Sequence, residues 1–385
     1  MKKQFHLFIL LAVVLLAVKC KEAYEPEVTF SATNLLVVEG FLNGSGVTSI
    51  RLSRTQANDS KGNLAEKNAR VSILSEAKQE YSLIESSAGV YTTSISFPLT
   101  GKYFLRIRTS DGKEYASAEV AILNTPDIDE VSWKRVATGV QIYVNTHDAS
   151  NSTRYYRWEY EETWEIVPRY FSYYELVPKV PVPQLDPFPY NIVERRPENA
   201  FPGACWQSER SDNIIMASSN KLTEDVIHLA PVCHVPSNSW KIDTRYSILV
   251  KQFALSAAGF EYWQNMKKNT EGLGSIFDPQ PSEIRGNITC ISDPEEQVVG
   301  FFDASTIKQS RIFISKAEIG NWRYNSGCVE KYAANHPDSL SVIFPANIPL
   351  DTKGDPMGGV IGYTGAAPDC VDCRLKGTPV KPDFW

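Results

Sequence analysis

Two cysteines with two residues between them, Cys370 and Cys373, stand shortly before a closing aromatic pair, Phe384 and Trp385. Such a pair can be half of a zinc site, a redox couple or a structural staple. A zinc ribbon needs a second Cys-x-x-Cys, and the sequence has none. A thioredoxin-like pair opens a helix, but here Pro368 precedes the pair, and Gly377, Pro379 and Pro382 follow. The staple is the expected reading, with one or both sulfurs bridging to an earlier cysteine and the aromatic pair packing onto the body. The other cysteines are Cys20, Cys205, Cys233, Cys290 and Cys328. Beyond Cys20 the number is even, which in an exported chain suggests disulfides. All six read as structural, and spacing does not choose among the pairings.

A second cluster of chemistry-bearing residues is "RYYRWEYEETWEIV", with Glu159, Glu161, Glu162 and Glu165. Paired carboxylates are the equipment of glycoside hydrolysis. Strand alternation puts Glu159 and Glu161 on one side, about 7 Å apart. The blander reading, a solvated strand face opposite Trp158 and Tyr160, is preferred. His147, His228, His234 and His336 form no close ligand pair, and His234 beside Cys233 has no further ligand nearby in the sequence. No GxSxG, P-loop or GxGxxG is present. The sequence therefore predicts no catalytic residue, no metal and no cofactor.

The start, "MKKQFHLFILLAVVLLAVKCKEAYEPE", has a basic pair followed by an apolar stretch that ends near Cys20. This predicts a signal peptide over 1–19, lipid attached at Cys20, and an acidic tether over 20–27. Lys19 departs from the small residue usual before such a cysteine. The chain has 385 residues and a formal net charge of −6. No basic run is dense enough to track phosphates, so nucleic acid is not an expected partner. With 18 Tyr, 17 Phe and 8 Trp, and Gly and Pro spread throughout, a mainly β architecture is expected.

Residues 28–125 predict an immunoglobulin- or transthyretin-like sandwich: Ile50 alternates with Leu52, Val71 with Ile73, and Tyr103 with Leu105 and Ile107. Residues 126–385 predict a larger β-rich domain in which Val140, Ile142 and Val144 share a face. Within it a helix is expected near 256–271, capped by Ser256, striped by Phe260, Trp263 and Met266, and ended by Gly272. Residues 167–204, crowded with prolines, predict a long loop. Its aromatic residues Tyr170, Phe171, Tyr173, Tyr174, Phe188 and Tyr190 are the candidate partner contacts.

"LLVVEGFLNG", "YSILVKQFALS", "FEYWQNMKKNTEGLGSIFDPQPSEIRGNITC", "VVGFFDAST", "RIFI" and "CVDCRLKGTPVKPDFW" together resemble, in order, the landmarks of domain of unknown function 4249, a family of Bacteroidota surface lipoproteins. The resemblance implies no established reaction. It implies an accessory role beside a SusC-type TonB-dependent outer-membrane transporter, in capture or gating of an unknown nutrient ligand, with the outer membrane reached through the lipid anchor. The alternative is a surface hydrolase or adhesin acting on glycans or peptides.

Overall fold

The structure, a computed structural model, describes residues 34–56, 64–271, 284–322 and 324–385. The signal peptide, Cys20, the tether and the helix-ending Gly272 lie outside them. The described chain is mainly β. No described helix is long and apolar enough to cross a membrane.

The first unit contains β1 (Leu36–Asn43), β2 (Thr48–Arg54), β3 (Leu64–Ala65), β4 (Arg70–Ser75), β5 (Glu80–Ser87), β6 (Val90–Thr93), β7 (Lys102–Arg108), β8 (Glu114–Ser117) and β9 (Val120–Ala121). Alternation decides which side of each strand is inside. Leu36, Ile50, Leu52, Ile73, Leu105 and Ile107 are fully buried in one core. Each such side chain contributes about 1.5–3 kcal/mol through burial. The first half of β5 pairs with β4 and the second half with β6, so one strand passes from one layer of the sandwich to the other.

The stretch 28–125 does not close this unit. Three later strands return to it: β19 (Ile288–Cys290), β20 (Val298–Gly300) and β21 (Ala304–Ser305). β19 pairs with β8, while β20 and β21 lie parallel to β1. Phe302 and Ala304 complete the first core. The side-chain amide of Asn287 donates to the carbonyl of Phe302 and accepts from its N–H, at 2.7 and 2.8 Å.

The second unit is a sandwich of two sheets. One runs β10 (Ile128–Val136), β11 (Gly139–Asp148), β17 (Asp225–Pro236). The other runs β15 (Cys205–Arg210), β12 (Tyr155–Ile166), β18 (Arg245–Ala254), β22 (Ile307–Ser315), with β16 (Ile215–Ser218) also on β12. Val140, Ile142 and Val144 face Tyr156, Trp158 and Trp164 across the core.

Helix α1 (Ala257–Glu271) follows β18. The Ser256 hydroxyl accepts from the Gly259 N–H at 3.0 Å, satisfying one orphan donor of the first turn. The buried face is centred on Gly259 and Tyr262, while Phe260, Trp263 and Met266 are half-buried, so the expected stripe is turned by one residue. Gly259 explains the offset. A Cβ there would meet the Asp303 carboxylate at 2.3 Å, so the backbone itself approaches the first unit.

A third cluster joins segments far apart in sequence. The hairpin β13 (Tyr174–Pro178) and β14 (Tyr190–Glu194) packs on the sheet β23 (Lys331–Ala334), β25 (Val360–Ala366), β24 (Ile348–Gly354). The short helices α2 (Lys316–Ile319) and α3 (Pro337–Ile343) precede and follow β23.

The expectation of a plain loop over 167–204 is thus corrected. Both strands of a two-stranded ribbon are edges, and edges tolerate proline. The ribbon is marginal alone and ordered by what it packs on.

Candidate functional site

The two cysteines of the Cys-x-x-Cys pair bond to different, distant partners. Cys373 is joined to Cys205 and Cys370 to Cys328. The pair is two staples that meet. Disulfides of this kind point to folding outside a reducing cytosol.

After the second staple the chain lies against β15, where Trp206 and Thr378 exchange backbone hydrogen bonds at 2.8 and 2.9 Å. Gly377 allows the approach, since a Cβ would meet the Trp206 carbonyl oxygen at 2.6 Å. Trp385 packs edge-on against Phe313 at 5.5 Å, and Arg311 lies 3.5 Å from the centre of the Phe384 ring. Trp385 is half-buried and Phe384 remains exposed.

Of the six cysteines read as structural, four form the two disulfides, while Cys233 and Cys290 are buried free thiols in the two cores. Cys233 faces Glu162 and Tyr246, each 3.9 Å from its sulfur. Burial, then the Glu162 charge, pushes its thiol up to about 12, so it is not a nucleophile at neutral pH.

Glu162 also departs from the solvated face expected for its cluster. It lies on the inward face of β12 with Tyr156, Trp158 and Trp164, and is only 6% exposed. The Tyr246 hydroxyl donates to it at 2.8 Å and Lys241 at 2.6 Å. Lys241 also reaches Glu209 at 2.7 Å. A buried carboxylate persists when charge and hydrogen bonds are both answered, as here. Glu159 pairs with Arg157 and Glu161 with Arg210. The four acids of this strand do not converge on one point.

The six aromatic candidates of the proline-rich stretch divide sharply. Phe188 is 2% exposed in the hairpin core, beside Phe344. Tyr190 packs on Phe188, and Tyr174 on Tyr363. Tyr170 is half-buried beside the Cys328–Cys370 staple, donating its N–H to the Cys370 carbonyl at 3.1 Å. Only Phe171 and Tyr173 stand in solvent. Four of the six therefore hold the module together rather than offer a surface.

The exposed apolar residues lie at the far end of the hairpin, where Val180 is 89% and Leu185 83% exposed, with Val182 between them. Prolines 181, 183, 187 and 189 stiffen this connection. Val182 and Asp186 close a small bridge inside it, and Lys179 pairs with Asp186. The result is a braced finger with an apolar tip. Sequence reading missed the tip because it favoured aromatic residues over aliphatic ones.

Beside the staples lies a cleft of about 690 Å³. Glu165, Pro168 and Arg169 form one wall, Trp240, Asp243 and Thr244 a second. Tyr324, Asn325 and Ser326, with the staple cysteines Cys328, Cys370 and Cys373, complete it. Of the four strand acids, only Glu165 opens into this space.

The family description that matches the chain is Domain of unknown function (DUF4249), over residues 21–311. The chain belongs to the DUF4249 family. The match ends within β22, so the staple cysteines Cys328, Cys370 and Cys373 of this DUF4249 chain lie beyond the matched residues. So does "CVDCRLKGTPVKPDFW", the last stretch on which the resemblance rested.

A comparison with curated proteins found no match. Among solved structures the chain is similar to a two-domain fibronectin type III segment of chicken tenascin: 11% identity, 58% of this chain, 90% of that one, TM-score 0.16. It is also similar to a putative carbohydrate binding protein from Bacteroides uniformis: 6% identity, 58% and 91%, TM-score 0.14. A third is a cycloalternan-degrading enzyme from Trueperella pyogenes: 10% identity, 72% and 32%, TM-score 0.15. Likenesses at this level carry no weight for function.

Proposed function

We propose that this DUF4249 chain is a cell-surface binding protein. It acts as an accessory partner of a SusC-type TonB-dependent outer-membrane transporter, in capture or gating of a nutrient rather than in catalysis. In this reading lipid on Cys20 holds the chain at the outer membrane. The observation that supports a docking role is the braced finger. Val180 and Leu185 are aliphatic, almost wholly exposed and held by a proline-stiffened connection. Little ordering entropy is lost when such an element meets a partner. The exposed rings of Phe171 and Tyr173 add contact area nearer its base.

The test is affinity purification of the tagged chain from detergent-solubilised membranes. The wild type is expected to bring down a TonB-dependent transporter, and the double variant Val180→Asp, Leu185→Asp to lose it while keeping its melting temperature. Equal recovery with both chains, or no transporter with either, would end the proposal. Anchoring is tested separately by labelling with a fatty-acid probe. Signal is expected in the wild type and none in Cys20→Ala.

A further inference from the structure

The cleft beside the staples has an unusual charge balance. Among the described residues its wall carries three acids, Glu165, Asp243 and Asp369, and three bases, Arg169, Lys316 and Lys376. Two pairs cancel: Lys316 lies 3.0 Å from Asp243 and Lys376 3.1 Å from Asp369. The side chains of Glu165 and Arg169 make no ion pair with any described residue, although both line the same space. Around them lie the hydroxyl- and amide-bearing residues Thr244, Tyr324, Asn325 and Ser326, and Trp240, whose ring packs on Trp164.

This lining selects among ligand classes. A polyanion would meet as many acids as bases among the described wall residues. A purely apolar molecule would strip water from six charged groups without replacing their hydrogen bonds. A neutral saccharide would answer the hydroxyls but leave the unpaired acid and base as they are. A molecule with an ammonium at one end and a carboxylate at the other answers both, through charge-assisted hydrogen bonds. The volume falls within the range of about 300–1,000 Å³ usual for small-ligand sites.

We propose that this cleft binds a short peptide with free termini, its ammonium directed to Glu165 and its carboxylate to Arg169. The two disulfides frame the site, since Cys328, Cys370 and Cys373 stand in its wall. This goes beyond transporter docking, and the finger residues take no part in it.

The test is calorimetric titration of the purified full chain with trialanine, N-acetyl-trialanine, trialanine amide and maltotriose. Trialanine is expected to bind, and each cap to weaken it by about 10-fold or more, the scale of one lost charge-assisted hydrogen bond. Glu165→Gln should weaken trialanine similarly and make acetylation costless, and Arg169→Gln should do the same for amidation. Unchanged melting temperatures would show that both variants fold. The capped peptides probe the same contacts without altering the protein. Caps without effect, maltotriose binding in place of trialanine, or no trialanine binding at millimolar concentration would each overturn the proposal. No transporter is present in the titration, so its failure leaves the docking reading to stand on its own test.

Discussion

Glu296 shows how single residues govern the first unit. Its carboxylate accepts from Tyr115 at 2.7 Å, pairs with Lys113, and lies 3.6 Å from Arg54. Burial alone would raise its pKa, but the hydrogen bonds from Lys113 and Tyr115 outweigh it and hold the carboxyl below the ordinary range. A depressed folded pKa adds stability above the unfolded value, and that stability is lost as pH falls through the folded value. Glu296→Gln is therefore expected to cost about 2 kcal/mol at pH 7. The gap to wild type should narrow as pH falls from the ordinary glutamate value through the depressed folded one, as urea unfolding across a pH series would show. Thiols give a second check. Unfolding without reductant, followed by alkylation and mass spectrometry, should label Cys233 and Cys290 and leave Cys205, Cys328, Cys370 and Cys373 linked. Parity alone did not reveal this split, because pairing depends on which strands meet. Cys233 faces Glu162 and Tyr246 in the second core, and Cys290 closes the first. Glu162 is legible in the sequence as an inward residue. It continues the alternation Tyr156, Trp158, Tyr160, Trp164, although its neighbours Glu161 and Glu165 give the stretch the composition of a solvated face.

At the scale of elements, the hairpin β13–β14 separates support from surface. Phe188→Ala is expected to destabilise the third module by about 3–5 kcal/mol, because it leaves a cavity against Phe344 and Ala333. Val180→Asp, at the solvated tip, should stay within about 0.5 kcal/mol. Thermal melts of the two variants would expose the contrast, and comparable losses would refute it. Helix α1 was readable as an element because its Ser256 cap is local, but its buried face was not, because Gly259 meets Asp303 only through folding. The hairpin was not, because Tyr174, Leu176, Tyr190 and Ile192 find their partners in residues 333–363, and only those partners make strands of the proline-rich stretch. The cleft was hidden for the same reason. Glu165 and Arg169 are four residues apart, but Asp243, Lys316 and Asp369 reach them only through folding.

On the scale of the whole molecule, the staples tie ends of long loops: 168 residues for Cys205–Cys373 and 42 for Cys328–Cys370. Loop closure of these lengths corresponds to about 5 and 4 kcal/mol in the chain-entropy account. Reduction, or truncation after Ala367, is expected to lower the melting temperature of the second unit and its attached module, and to leave the first unit's transition in place. Alternation made the strands of both sandwiches readable, but the route of the chain between them was not, because pairing partners leave no local trace. That route has a consequence in time. Leu36 ends up beside Val298, and Leu42 beside Ala304. At about 5–20 residues per second of synthesis, β1 waits on the order of tens of seconds for its neighbours. Until then it presents an unsealed edge, the kind that recruits other chains. A chain stopped after Glu271 is therefore expected to precipitate rather than yield a soluble first sandwich, and centrifugation of the expressed fragment would show it. In a crowded compartment the newborn protein would be at its most vulnerable before its last third arrives, and a holding chaperone would have its work in that interval.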